Sequence, residues 1–234
     1  MACCSSNAES WNYYNQDKWE IYYIECGNHR QSPIDINSRF TVSSNAAQLL
    51  TTNGDKPNNA DVIVDGDSVI IKVSDAVFPL TLTYGTEEYD FDSIHFHWAD
   101  NCNPSSEHSV NGQYFDMEYH AVWYNKKYGS FDAALGFDDG LAVIAEPVVI
   151  DDTLLTSFLT PVAQSLPLAA STGSAPLPGF QLCNYVEPGQ PGPLKGNVYY
   201  SYSGSLTTPN CGPVNWIVDG VPKRISRGDY NSFA

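Results

Sequence analysis

The chain carries five histidines, and four of them fall between His95 and His120. The first two stand in "SIHFHWAD", Ser93 to Asp100, with only Phe96 between them. Side chains alternate faces along a strand, so His95 and His97 share one face while Phe96 points the other way. Two imidazoles about 6–7 Å apart at Cα can share one metal ion. His120 lies in a second strand-like stretch, "DMEYHAVWY", with 22 residues between it and His97. If the two strands pair, a third nitrogen joins the first two. Three neutral histidines with one open position describe a catalytic zinc site, whereas a structural site is closed by four protein ligands. A single histidine on a half-apolar strand is more often a satisfied core residue. Here the third histidine and the scarcity of histidine elsewhere favour the metal.

A metal-ligating histidine donates its other ring N–H to a carboxylate or carbonyl. Glu118 stands two residues before His120, hence on the same face, and is the expected acceptor; an edge-strand glutamate facing solvent is the plainer alternative. Ser93 stands two before His95 with a shorter reach. His108, in "SSEHSV", is either a fourth ligand or a buried structural histidine. Residue types alone leave both open.

Strand signals surround these residues. "DVIVDGDSVIIKV", Asp61 to Val73, reads as two strands about an Asp-Gly turn. "FPLTLTY", "SIHFHW", "DMEYHAVWY", "LAVIAEPVVI", "NVYYSYSG" and "VNWIV" are short and rich in β-branched or aromatic residues. One helical pattern stands out: Leu154, Leu155, Phe158, Leu159, Val162 and Leu166, interrupted by Pro161. "PLAASTGSAPLPG", Pro167 to Gly179, reads as a loop. No repeat or linker divides the chain. The expectation is one mostly-β (α+β) domain with a loop-rich amino-terminal segment.

Composition narrows the function classes. At 234 residues and 42% hydrophobic content the chain can bury a substantial core. A net charge of −16, from 27 acidic against 11 basic residues, argues against a nucleic-acid partner. It fits a well-solvated surface or one adapted to saline surroundings. No apolar run approaches a membrane span. The opening "MACCSSNAES" lacks a signal-peptide core, as in a mature chain with an added Met or a cytosolic one. Six cysteines form no Cys-x-x-Cys pair, which argues against a thiolate zinc ribbon and allows two or three disulfides.

Ordered motifs over nearly the whole chain resemble the alpha-class carbonic anhydrases. They are "WNYYNQDKW" from Trp11, "QSPIDI" from Gln31, "IHFHW", "SEHSVNGQYFDMEYHAVWYN", "DGLAVI", "YSGSLTTPNC" and "VNWIV". The resemblance implies a large, mainly antiparallel twisted sheet with a few short peripheral helices and zinc at the base of a conical cleft. It implies a flexible tail over 1–10 and one domain over 11–234. His95, His97 and His120 then bind Zn²⁺, with solvent at the fourth position. Thr207 matches the threonine that orients the attacking oxygen, and Glu107 the carboxylate that accepts from it. His108 matches a structural histidine. Val122, Val143, Leu206 and Trp216 match the apolar wall beside which carbon dioxide rests, and Thr208 a bicarbonate contact. Tyr13 and Tyr202 match hydrogen-bonding tyrosines. Cys26 and Cys211 match a disulfide found in secreted and bacterial members, and Cys102 with Cys183 is a further candidate pair. That bridge implies an extracellular, periplasmic or otherwise oxidising compartment.

The chain also departs from the pattern. Where fast members carry a shuttle histidine, "DGDSVI" places Asp67. The family continues after "VNWIV" with a helix and an Asn-x-Arg-Pro tail whose backbone supports the histidine matching His97. This chain stops at "PKRISRGDYNSFA", so a looser site is expected. Two rival readings are a carbonic-anhydrase-like module without turnover and a cupin-type oxygenase or isomerase. The cupin reading needs a Glu shortly after the second His and a later Gly-rich His motif, and neither is present.

Overall fold

The computed structural model describes residues 13–42, 49–66, 68–75, 77–98, 106–186 and 199–234. The expected tail over 1–10, Asp67, and Cys3, Cys4 and Cys102 lie outside these. Thirteen strands are found among the described residues. They are β1 (Asp35–Ile36), β2 (Leu49–Thr52), β3 (Asn58–Asp65), β4 (Ser68–Asp75), β5 (Thr81–Tyr84), β6 (Glu87–Trp98), β7 (Ser109–Val110), β8 (Met117–Asn125), β9 (Leu141–Ile150), β10 (Ser174–Phe180), β11 (Tyr199–Ser205), β12 (Pro213–Asp219) and β13 (Lys223–Ile225). The α-helices are short: α1 (Trp19–Tyr22), α2 (Phe131–Ala134), α3 (Thr160–Thr172) and α4 (Arg227–Asn231).

Eleven strands join in one sheet whose main path is β10-β3-β4-β6-β8-β9-β12-β11. Strand β5 joins β6 beside β4, β2 extends β5, and β13 pairs with the end of β9. Most pairings are antiparallel, but β12 and β13 run parallel to β9. The Asp-Gly signal is a hairpin: β3 and β4 pair from Asp65 and Ser68 inward, and Gly66 turns the chain at φ 58°.

The sheet is apolar on both faces. On one face Val62, Ile71, Leu82, Ile94, Phe96, Tyr119, Trp123 and Ile144 share one cluster with Val162, Leu166 and Ala169 of α3. On the other, Val122, Leu141, Val143, Ala145, Val214, Trp216 and Val218 form a separate cluster. A sheet covered on both faces gives strands without a clean polar alternation. The β8 positions from Met117 to Trp123 are accordingly buried in an unbroken run.

The helix and loop expected over 154–179 need correction. The helix begins at Thr160 and runs to Thr172, burying Val162, Ala163, Leu166 and Ala169. Pro161 opens its first turn instead of interrupting it, because a proline there gives up an N–H that has no partner within the helix. Gly173, at φ 87°, ends it by donating to Ala169 O at 2.7 Å. The chain then enters strand β10, which buries Ala175, Leu177 and Phe180. Pro176 and Pro178 are tolerated because β10 closes one edge of the sheet path and pairs only with β3.

Near the carboxyl end, Ser226 caps α4 by accepting from the Asp229 N–H at 3.1 Å. The Asp229 carboxylate accepts from Ser157 and Thr160 at 2.6 and 2.8 Å. Phe233 then packs on Phe96 and Trp98, with ring centroids 5.2 and 5.7 Å apart.

Candidate metal centre

A single inserted residue in β6 decides which face the histidines occupy. Phe91 pairs with Trp123 and Ser93 with Val122, so Asp92 is an extra, unpaired residue at a β-bulge. Before the bulge, odd-numbered Tyr89 and Phe91 point into the α3-side core. After it, even-numbered Ile94 and Phe96 do so, and His95 and His97 turn to the opposite face. Unbulged, the strand would aim both histidines at the α3-side core. The signal was present in the sequence: the apolar residues 89, 91, 94 and 96 skip a beat between 91 and 94.

Register then sets the cluster. His95 lies directly across from His120, and His97 across from Glu118. The His97 and His120 rings stand 4.5 Å apart between centroids. Metal-ligating atoms of His97, Glu107 and His120 lie within 4.8 Å of one another. Glu107 brings its two oxygens to 3.5 Å from His97 Nδ1 and 3.7 Å from His120 Nε2. His95 is in register but not in that group: its Nε2 sits 2.8 Å from Ser93 Oγ. Two of the three expected nitrogens are thus together, and the third is turned toward its serine partner.

Glu118 is fully buried and accepts at three points. His120 Nε2 and His108 Nδ1 each lie 2.7 Å from its Oε1, and the His108 backbone N–H donates to Oε2 at 2.8 Å. His108 is itself fully buried, and its Nε2 lies 2.6 Å from the Tyr202 hydroxyl, which reaches Ser32 Oγ at 2.8 Å. Both ring nitrogens of His108 are therefore engaged by protein. Burial alone would raise the Glu118 pKa, but the His108 charge and the bonds from His108 and His120 outweigh it and hold the carboxyl below its usual range. Burial pushes His120 down, and Glu118 more than reverses that, leaving it raised. Burial, reinforced by His97, His120 and Lys72, pushes His95 down to about 3. Burial also lowers His97, against the pull of Glu107. Both β6 histidines are neutral near pH 7, the form that offers a lone pair to a metal.

The expected wall is one row across three strands. Val122 pairs with Val143, and Val143 with Trp216. Leu206 packs against the same cluster. The Trp216 ring meets the His120 ring edge-on at 4.8 Å and is held by its N–H donating to Ser205 O at 2.9 Å. Glu107, His97, Leu206 and Thr207 line a cavity of about 830 Å³. Inside it, Glu107 Oε2 is buried without a hydrogen-bond partner among the described residues. An unpaired buried carboxylate oxygen is costly and marks a place where a donor or cation belongs.

A model of the eukaryotic-type carbonic anhydrases matches residues 14–234. The chain belongs to that family. It is 32% identical over 223 residues to carbonic anhydrase 6 of Bos taurus, covering 91% of this chain and 66% of that protein. It is 31% identical over 234 residues to carbonic anhydrase 15 of Mus musculus, covering 93% and 71%. Against carbonic anhydrase 12 of Homo sapiens it is 30% identical over 243 residues, covering 94% and 62%. The chain thus spans about two thirds of the length of these relatives.

In this family member, Cys26 and Cys211 are bonded across 185 residues, with Cα atoms 5.0 Å apart. The bridge fits an oxidising compartment. It anchors the turn that carries Thr207 and Thr208, both half-buried. Leu206 N–H donates to Gly212 O at 2.7 Å across the turn, and Cys211 N–H to Thr208 O at 2.9 Å. Beside it the Ser32 segment lies flat on β11, exchanging bonds with Ser205 at 3.0 and 3.1 Å. Only glycine fits at 204, where a Cβ would meet Ser32 Oγ at 2.2 Å. Among the described residues, no helix is long and apolar enough to cross a membrane. The Tyr13 backbone opens a 3-10 turn, Tyr13–Lys18. Sequence reading missed the bulge at Asp92, which re-aims side chains that strand alternation would send to the other face.

Proposed function

We propose that this chain catalyses the reversible hydration of carbon dioxide to bicarbonate and a proton, with Zn²⁺ held by His95, His97 and His120. The observation that carries the reading is the pair of His97 and His120 beside the unpartnered Glu107 Oε2, in a family of carbonic anhydrases. The donors fit the metal: two neutral imidazoles on β6, with a third on β8 backed by a buried carboxylate and giving up a proton as it ligates, suit zinc. Bound there, zinc would supply the Lewis acidity that brings a coordinated water's pKa from 15.7 to about 7.

The remaining work falls to the chain's own groups. Glu118 accepts the Nε2 proton of His120, which leaves Nδ1 as that ring's ligand atom. Glu107 Oε2, unpartnered in the structure, is the acceptor the Thr207 hydroxyl would take, so that Thr207 in turn would accept from the attacking oxygen and turn its lone pair toward carbon. Val122, Val143, Leu206 and Trp216 offer an apolar resting place for carbon dioxide, and Thr208 a polar contact for bicarbonate. Asp67 is a poor proton relay. An ordinary aspartate, near 3.9, is about 3 units too acidic to take a proton from a group near 7, or roughly 4 kcal/mol uphill. Proton export then limits turnover, and imidazole buffer accelerates it.

Elemental analysis paired with a pH-indicator hydration assay tests the reading. The expected result is stoichiometric zinc and hydration blocked by a sulfonamide, whose ionised nitrogen takes the solvent position and donates to Thr207. A protein that binds no zinc, or turns over unchanged with His120→Ala, refutes it. The turn of His95 toward Ser93 favours one rival reading, a binding module without turnover. Stoichiometric zinc without hydration would select that rival.

A further inference from the structure

Strand β11 pairs with β12 through seven residue pairs, with no break in register. Two contacts fix which way its backbone groups face. Leu206 N–H donates to Gly212 O across the turn between the two strands, whereas Ser205 N–H points outward to Ser32 Oγ at 3.1 Å. Backbone groups alternate sides along an antiparallel strand, so the N–H and C=O of Ser203 and Ser201 also face outward. Among the described residues no strand meets them. Other ends of the sheet are guarded: β10 carries Pro176 and Pro178, and β2 and β13 have only four and three residues. β11 has seven residues, no proline, no bulge and none of the chain's 27 acidic groups.

We propose that this edge joins a second copy of the chain, β11 to β11 and antiparallel, so that two eleven-stranded sheets become one. A twofold axis lays the strand against itself in reverse, which sets each outward N–H against a carbonyl of the other copy. The Ser32 segment covers the Ser205 end, which places the join around Ser201. The exposed side chains there, Ser201 and Ser203, are small enough for a strand to approach to about 4.8 Å. Tyr200 and Tyr202 lie on the opposite face, packed against the cluster around Trp216. Charge selects the partner. At net −16, two copies repel over most of their surfaces, and an uncharged strand is where they meet at least cost. The same neutrality gives a basic or acidic peptide nothing to pair with. Backbone pairing of this kind buries little area, so the dimer is weak and depends on concentration.

Sedimentation velocity of the full chain over a range of concentrations is the test. The wild type is expected to pass from monomer to dimer as concentration rises. Added salt should strengthen the dimer by screening like charges, the reverse of an interface built on ion pairs. Ser201→Pro removes an outward N–H from each copy without touching a bond to β12. Losing those two hydrogen bonds should weaken the dimer about tenfold or more. Ser201→Glu sets like charges at the join and should weaken it as well, and it serves should Ser201→Pro fold poorly. Ser201→Cys should form a disulfide between copies under mild oxidation, because Cα atoms paired across the join fall within the ~7 Å a disulfide spans. Ser171→Cys, exposed on α3, should not. A wild type that stays monomeric at every concentration overturns the proposal, as does a dimer that neither Ser201→Pro nor Ser201→Glu weakens, or one that salt dissolves.

Discussion

The two flanks of the histidine cluster are held in different ways. On the β8 side, His120 meets a carboxylate with no exposed surface, itself pinned by a buried histidine, a tyrosine and Ser32. On the β6 side, His95 meets a hydroxyl whose aspartate remains 18% exposed and is faced by a lysine 56% exposed. The first arrangement gains from low dielectric, where a satisfied charged network is strong and a broken one costly. The outer end of the second, at Asp92 and Lys72, is nearer water, so that link is weaker and more easily replaced. Perturbations should therefore fall harder on the β8 flank.

The largest effect is expected at the disulfide, which ties down the β8 flank through the Ser32 and Thr207 segments. Cys26→Ser with Cys211→Ser should lower stability by as much as about 5 kcal/mol in the chain-entropy model, read from urea midpoints. If hydration falls only in proportion to unfolded protein, the bridge holds the fold and does not aim Thr207. Glu118→Gln comes next. Its amide N–H₂ faces donors that a carboxylate satisfied, so a loss of about 3 kcal/mol is expected. Ser93→Ala, the matching change on the β6 flank, should cost less, about 1–2 kcal/mol, because the partner it strands in the interior is a neutral imidazole. Equal losses at the two positions would erase the contrast.

Acid should separate the flanks by sign. In the zinc-free protein, His95 takes up a proton near its ordinary 6.5 when unfolded but only at about 3 when folded. The unfolded chain binds more protons between these values, so the His95 contribution is present above 6.5 and fades as pH falls toward 3. His120 is raised instead, so its contribution is full below 6.5 and is lost as pH climbs through the folded value. Glu118 adds stability above about 4.5 that fades as the medium grows more acid. Urea midpoints taken from about pH 8 to about pH 3 should flatten at the acid end in His95→Ala and at the alkaline end in His120→Ala.

Much of this was legible in the sequence, for reasons specific to each residue. The register that sets His95 opposite His120 follows from two-residue alternation and a strand partner, although only His97 and His120 bring their nitrogens together. Glu118 follows from the same alternation, and its contact with His120 is as expected. The hairpin over Asp61 to Val73 follows from Asp-Gly chemistry. Other features depend on tertiary context. Pro167 inside α3 and the two prolines of β10 look like loop residues until the sheet edge is known. The bulge at Asp92 is a local insertion whose only trace is a skipped apolar beat. The turn of His95 to Ser93 depends on side-chain rotation, which no spacing rule encodes.

The smallest expected effect is the most informative about the β6 flank. Lys72 pairs with Asp92 at 3.7 Å, and more than half of its side chain is exposed. Such pairs are worth under about 1 kcal/mol and weaken with salt. Lys72→Met should therefore move zinc affinity by no more than about threefold, with the difference gone in about 1 M salt. Asp92→Ala, which also removes the bond to the Ser93 hydroxyl, should lower zinc affinity further and at any salt concentration, because a hydrogen bond to a buried hydroxyl is short-ranged. If Lys72→Met instead matched Asp92→Ala and both faded with salt, the charge on Asp92 and not its bond to Ser93 would be what reaches His95. The two flanks would then differ in degree of screening and not in kind.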